Sequence, residues 1–450
     1  MLLKTLIALF WIGQIWTSPY VRGPDSSSLN YNPLFIFTDS ILQENTLVGG
    51  RFSIYEIVLF LLGSALIFKY GKGGLKGRFA KKFFLISLAA VSISFFNPNN
   101  SFEQLKYFIT LEPRMLLFYL FLLYAFLSIE TKYREAITFA FISSGIIIAS
   151  LLAVVSLFNF TAGKGIFYIS AYTTLPNAEI LNVMILLSAV SLAVYLRSRY
   201  VLYLIFVLLV HITVLFSDRR TPIVVMLLTD AVIFIYYNKI SLITLIKTAG
   251  ITAVCLTLFF IFVPDEKPDF EYYFLRIWTL FSTSYQGEFL NDMGHYEQTA
   301  RTFETLLNNA DRFWGAGMRN SYYFVEGQSS YIHNNFAAVW ALYGMHMTLF
   351  LFYVLWIYMR NVIKLIGESF KKHYYPVKAG VIIASLFILL GDAFTGEYFC
   401  KNFSYVSLFP LTISFLRLTD VDEAGLLLRF KGSRGRIPFY RSTRRELIHT

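Results

Sequence analysis

Apolar residues are gathered into long runs separated by short polar connections. Twelve runs stand out, at approximately 3–17, 53–69, 83–96, 113–129, 136–158, 178–196, 200–216, 221–237, 241–263, 334–359, 378–394 and 402–417. A helix satisfies its own backbone hydrogen bonds in lipid, so runs near bilayer length predict spanning helices. The pattern therefore predicts an all-α polytopic membrane protein with about 12 transmembrane helices. Several runs fall short of ~20 residues. Those near 83 and 113 extend into flanking residues such as Tyr107 and Phe108. The first run admits two readings: a spanning helix or, with Lys4 before it and Thr17-Ser18 after it, a cleaved signal peptide.

The runs divide the chain into four parts: helices 1–9 in residues 1–263, a large loop at 264–333, helices 10–12 in 334–417, and a basic tail at 418–450. Within the loop, Phe270, Tyr273, Phe274, Ile277 and Phe281 share one helical face. Tyr272, Arg276, Thr279 and Thr283 share the other. A second stretch sets Tyr296, Ala300, Phe303 and Leu307 against Gln298, Arg301, Thr305 and Asn308. Two amphipathic helices on the membrane surface, polar faces toward a cavity, are expected.

Composition agrees with this layout. The chain is 56% hydrophobic and only 15% charged, against roughly a quarter charged in soluble domains. The 18% aromatic content suits lipid-facing bulk, membrane interfaces and sugar-stacking surfaces alike. A net charge of +11 does not point to nucleic acid, because Lys and Arg lie between the apolar runs rather than in one patch. With both termini cytoplasmic, the inner segments hold 25 of the 39 basic residues and the longer outer segments 13. This is the positive-inside bias, and it puts the 264–333 loop outside. The tail reads as a flexible anchor near anionic head groups. Cys255 and Cys400 form no disulfide or zinc pattern, and no cofactor or metal motif is present.

Candidate chemistry gathers on the outer side. Ser217-Asp218-Arg219-Arg220-Thr221-Pro222 lies between two apolar runs. It reads either as arginines snorkelling to head groups beside Asp218 or as a clamp for diphosphate oxygens. Arg312-Phe313-Trp314-Gly315-Ala316-Gly317-Met318 follows, and His333-Asn334-Asn335 opens the next run. His333 is a general base or an interfacial residue. Gly315 and Gly317 indicate a turn or close backbone approach. Asp392 lies near the outer end of the eleventh run, with Glu397 just beyond it. Asp230, ten residues into its helix, requires a partner. Glu56, Glu179 and His346 read as structural polar contacts.

In order and topological side, these motifs resemble those of the O-antigen polymerase and ligase superfamily. The matching positions are Ser217 to Thr221, Arg301, Gly315-Ala316-Gly317, His333-Asn334 and Gly344. The turn departs from the family's Ser-Arg pattern by reading Asp-Arg-Arg, so Arg219 and Arg220 compete for one role; Arg220, followed by Thr221, is the first choice. The resemblance implies a GT-C-like membrane glycosyltransferase of the bacterial inner membrane, independent of metal and cofactor. Its donor would be a glycan on undecaprenyl diphosphate. Its acceptor would be a second glycan in a polymerase, or lipid A-core or protein in a ligase, with a chain-length regulator as a further partner of a polymerase. Arg220, Arg219, Arg301 and Arg276 would hold the diphosphate, and His333 would take the acceptor proton. Asn334, Asp392, Gly315 and Gly317 would shape the substrate site. A flippase or other transporter is the rival of a different class.

Overall fold

A computed structural model describes residues 2–16, 54–71, 73–100, 111–159, 178–215, 220–237, 300, 303–304, 306–308, 313–315, 317, 334–370, 375–395 and 403–430. Every regular element among them is helical. In chain order these are α1 (Leu2–Trp16), α2 (Ile54–Ala65, continued by a π-turn over Leu66–Tyr70), α3 (Arg78–Phe95), α4 (Leu111–Ser128), α5 (Thr131–Asn159), α6 (Ala178–Ser198) and α7 (Val201–Leu215). There follow α8 (Arg220–Tyr236), α9 (Asn335–Tyr343), α10 (Met345–Phe370), α11 (Pro376–Thr395), α12 (Phe403–Phe415) and α13 (Asp420–Phe430). Among the described residues, three segments are long and apolar enough to cross a membrane: Thr131–Val154, Ile180–Ser198 and Met345–Ser369. Six shorter apolar helices accompany them. The run at 241–263, the stretch at 270–283, Cys255 and Cys400 lie outside the described residues.

The bundle is arranged around α6, which touches α1, α5, α7, α8, α11 and α13. Nearly all of its side chains are buried, including Asn182, Ser188 and Ser191. Its closest neighbour is α11, where a Cβ on Gly380 would lie 2.5 Å from Val190 Cα. A small residue at this crossing permits the backbones to touch, the usual device of helix pairs in lipid. A polar contact ties distant helices: Gln14 of α1 reaches both Tyr55 of α2 and Ser407 of α12.

Three expectations are corrected. The run at 334–359 is not one helix. It breaks at Gly344, whose φ of 97° is costly for any residue bearing a Cβ. The face expected at 296–307 keeps Phe303 but takes Leu306 in place of Leu307. Leu306 is buried with Ala337, Ala338, Trp340 and Ala341, Phe303 packs beside it, and Leu307 is 53% exposed. Small alanines on α9 accept Phe303 and Leu306, which are three residues apart and so share a face. Finally, the tail expected to be flexible from 418 onward begins with a packed helix, because residues 420–430 form α13.

The sequence of α13 explains why it forms. Thr419 precedes it, and Asp422 Oδ2 accepts from both Thr419 N and Thr419 Oγ1 at 2.9 Å. Asp420, Asp422 and Glu423 in the first turn oppose the positive end of the helix dipole. Arg134 of α5 stands 3.5 Å from Asp422 and donates to Arg417 O at 2.7 Å. At the far end Arg429 pairs with Glu135 at 2.6 Å, and Tyr203 donates to Phe430 O at 3.0 Å. Glu423 accepts from Lys378 N at 2.7 Å and Val377 N at 3.2 Å, so one helix caps the start of another. Burial pushes the Glu423 carboxyl up to about 7 from its ordinary 4.5, although these two N–H donors pull the other way.

Candidate functional site

The opposite end of the bundle brings several motifs together, beginning where α3 stops. Pro98 cannot continue the helix, and Asn97 Oδ1 accepts from Asn99 N at 2.9 Å, turning the chain. Asn100 Nδ2 donates to Ser94 O at 3.1 Å and Phe95 O at 3.3 Å, satisfying carbonyls left open at the helix end. The remaining amides reach across the sequence. Asn97 Nδ2 donates to Trp314 O and Asn99 Nδ2 to Gly315 O, each at 2.6 Å.

The Gly-x-Gly segment is thereby pressed into the break between α9 and α10. Met345 N donates to Phe313 O at 2.9 Å, and Gly344 N to Trp340 O at 2.9 Å. Gly315 and Gly317 both have positive φ, 72° and 88°. A Cβ on Gly315 would collide with Trp340 O and lie 2.7 Å from Ala341 O. Close approach and left-handed backbone both require glycine here. His346, one residue into α10, meets Ser94 Oγ at 2.8 Å through Nε2, and its ring lies beside those of Phe313 and Trp314. This is the structural contact expected of His346.

Asn334 is the N-cap of α9, with Oδ1 accepting from Ala337 N at 3.0 Å. That bond fixes where the helix starts, directly after His333. All nine residues of α9 are buried, so the helix start has little freedom.

Arg220 is the first residue of α8 and Asp392 lies in the last turns of α11. These two helices run in opposite directions. A Cβ on Gly391 would lie 3.1 Å from Thr221 Cγ2 and 2.6 Å from Val225 Cγ2, while Tyr375 N donates to Tyr236 Oη at 2.6 Å at the far end. The start of α8 and the end of α11 are therefore adjacent, and α11 also packs against α9. Gly315, Gly317, Asn334, Arg220 and Asp392 thus belong to one end of the bundle. His333, Arg219, Arg276 and Arg301 lie outside the described residues, as do the side chains of Arg220, Asp392 and Glu179.

Two features escaped sequence reasoning. One is the Asn97-Pro98-Asn99-Asn100 clamp, which a turn signal at the end of an apolar run could have flagged. The other is His211, the partner that Asp230 requires. His211 Nε2 meets Asp230 Oδ2 at 2.6 Å, bridging α7 and α8, while its Nδ1 meets Val207 O at 2.7 Å. An ionisable residue inside each of two consecutive apolar runs was the available signal. No protein-family model, curated protein or solved structure matches the chain.

Proposed function

We propose that this protein is a multi-pass inner-membrane glycosyltransferase that polymerises oligosaccharide units carried on undecaprenyl diphosphate. The observation that carries the reading is the docking of Phe313–Gly317 into the α9–α10 break, at the bundle end where α8 begins at Arg220 and α9 begins after His333. Two segments about a hundred residues apart in sequence are thus held at one end. In this reading about twelve spans form a GT-C-like bundle, both termini are cytoplasmic, and the Gly315 end faces the periplasm with the 264–333 loop.

The reaction is the one implied by the resemblance of these motifs to the O-antigen polymerase and ligase superfamily. The acceptor hydroxyl attacks the anomeric carbon, and its proton passes to His333. The bond from that carbon to the diphosphate oxygen breaks, and undecaprenyl diphosphate leaves with the bond's electron pair. Arg220, with Arg219, Arg301 and Arg276, neutralises the charge that develops on the leaving group. Asn334 sets the position of His333 by capping α9, and Asp392 contributes at the acceptor side. Orienting two large lipid-bound reactants lowers the entropic part of the barrier.

Reconstitution into liposomes with undecaprenyl-diphosphate oligosaccharide tests this. Wild-type protein is expected to lengthen the glycan in the presence of chelator, and His333→Ala and Arg220→Ala to lose that activity. Loss of product with chelator would sink the metal-free arginine mechanism. Transfer to lipid A-core without lengthening would make the protein a ligase. The His211–Asp230 pair favours one rival, a transporter, because such proteins place ionisable residues within the spans. That rival prevails if Asp230→Ala abolishes function in cells while His333→Ala and Arg220→Ala leave it intact.

A further inference from the structure

Helix α3 has two unlike faces. Ala80, Phe83, Ser87, Ala90, Val91 and Ser94 are buried, with Phe83 against Phe350 and Tyr353 of α10 and Phe84 against Tyr124 of α4. The opposite face is open along its whole length. It begins with exposed Arg78, Lys81 and Lys82, which occupy i, i+3 and i+4 positions and so stand side by side. The same face continues as Leu85 (60% exposed), Leu88, Ala89, Ile93 and Phe96 (80% exposed). Lys76, in the turn just before the helix, adds a fourth exposed cation. None of these four side chains has an ion-pair partner among the described residues.

We infer that this face is a binding site for one acidic phospholipid, its phosphate held by Arg78, Lys81 and Lys82 and an acyl chain laid along Leu85, Leu88, Ala89 and Ile93. Charge complementarity selects the occupant. Adjacent like charges repel, and an anion between them relieves that repulsion. The apolar stripe begins one turn further along the same face, so the ligand must be anionic at one end and hydrocarbon beyond it. A zwitterionic lipid meets the stripe but brings no net charge, whereas a soluble phosphate brings charge but leaves the stripe uncovered. Each basic residue near an anionic surface is worth about a fivefold gain in binding, so three together give about a hundredfold.

The inference rests on the membrane reading and is independent of the transferase chemistry. Its test uses full-length protein in neutral detergent, titrated with phosphatidylglycerol, phosphatidylcholine of identical acyl chains, and glycerol phosphate, with bound lipid counted by native mass spectrometry. Phosphatidylglycerol is expected to bind at least tenfold more tightly than phosphatidylcholine. Combined Arg78→Ala, Lys81→Ala and Lys82→Ala substitution is expected to erase that preference without changing the lipid-free melting temperature. Lys82→Glu alone should weaken it partly, and Lys364→Ala on α10 should leave it unchanged. Equal retention of the two lipids, an undiminished preference in the triple variant, or equally tight glycerol phosphate would overturn the site. Release of the chain from membranes by carbonate would instead overturn the membrane reading, and the site with it.

Discussion

Asn99 and Gly315 are joined by a 2.6 Å hydrogen bond across 216 residues of sequence. The amide that follows a helix-ending proline therefore holds the turn that plugs a break between two other helices. Because Asn97 makes the parallel bond to Trp314, the α3 end grips two successive carbonyls.

Loosening that grip should cost activity before it costs the fold. Asn99→Ala removes one hydrogen bond to a partly buried carbonyl, a loss of about 1 kcal/mol. On the proposed function, polymer formation is expected to fall severalfold while the melting temperature drops by only a few degrees. An unchanged product ladder on a denaturing gel would show that the clamp does not position the site.

Gly315→Ala should be far more damaging. The new methyl meets the carbonyls of Trp340 and Ala341, and the residue must hold a φ of 72°. Strain of about 1–3 kcal/mol is expected. Thermal unfolding in detergent should show it, and Gly367→Ala on α10, where an added methyl meets nothing within 4 Å, should not.

Glu423 makes stability depend on pH. Below 4.5 its carboxyl is protonated in both folded and unfolded chains. Between 4.5 and about 7 the unfolded chain has released the proton while the folded chain retains it, so stability falls as pH rises. Above about 7 both forms are ionised and the loss is complete. Lys378 and Asp422 act on the same carboxyl with opposite signs. Melting curves across this window should lose their slope in Glu423→Gln, and a slope kept in that variant would assign it elsewhere.

The His211–Asp230 bond predicts a strong coupling. Asp230→Ala strands a largely buried imidazole, and His211→Ala strands a carboxylate. A double-mutant cycle on melting should return a coupling of about 1–3 kcal/mol. Additive losses would mean that the two residues contribute separately.

The helices were largely legible because long apolar runs leave few alternatives. The break at Gly344 was not, since residues on both sides are apolar and a glycine inside a helix looks the same in sequence as one at a break. Leu306 and Leu307 are equally apolar, and the alanines of α9 decide which one turns inward. The chemistry of the Gly315 turn could be foreseen from its two glycines. Its anchor could not, because nothing local ties Asn97 to a carbonyl more than two hundred residues away. The Glu423 cap on α11 is hidden in the same way: a carboxylate early in α13 reads as the helper of its own helix, yet it serves another.

The position of α6 bears on how the molecule is built. In the finished bundle its asparagine and serines face protein, but a helix enters the bilayer before its neighbours have gathered. For that interval its polar atoms face lipid, in the least favourable surroundings they will meet. The order in which α1, α5, α7, α8, α11 and α13 arrive therefore matters more for this helix than for any at the periphery. A substitution at Asn182 or Ser191 should be read first as a change in biogenesis, visible in yield, and only then as a change in the mature protein.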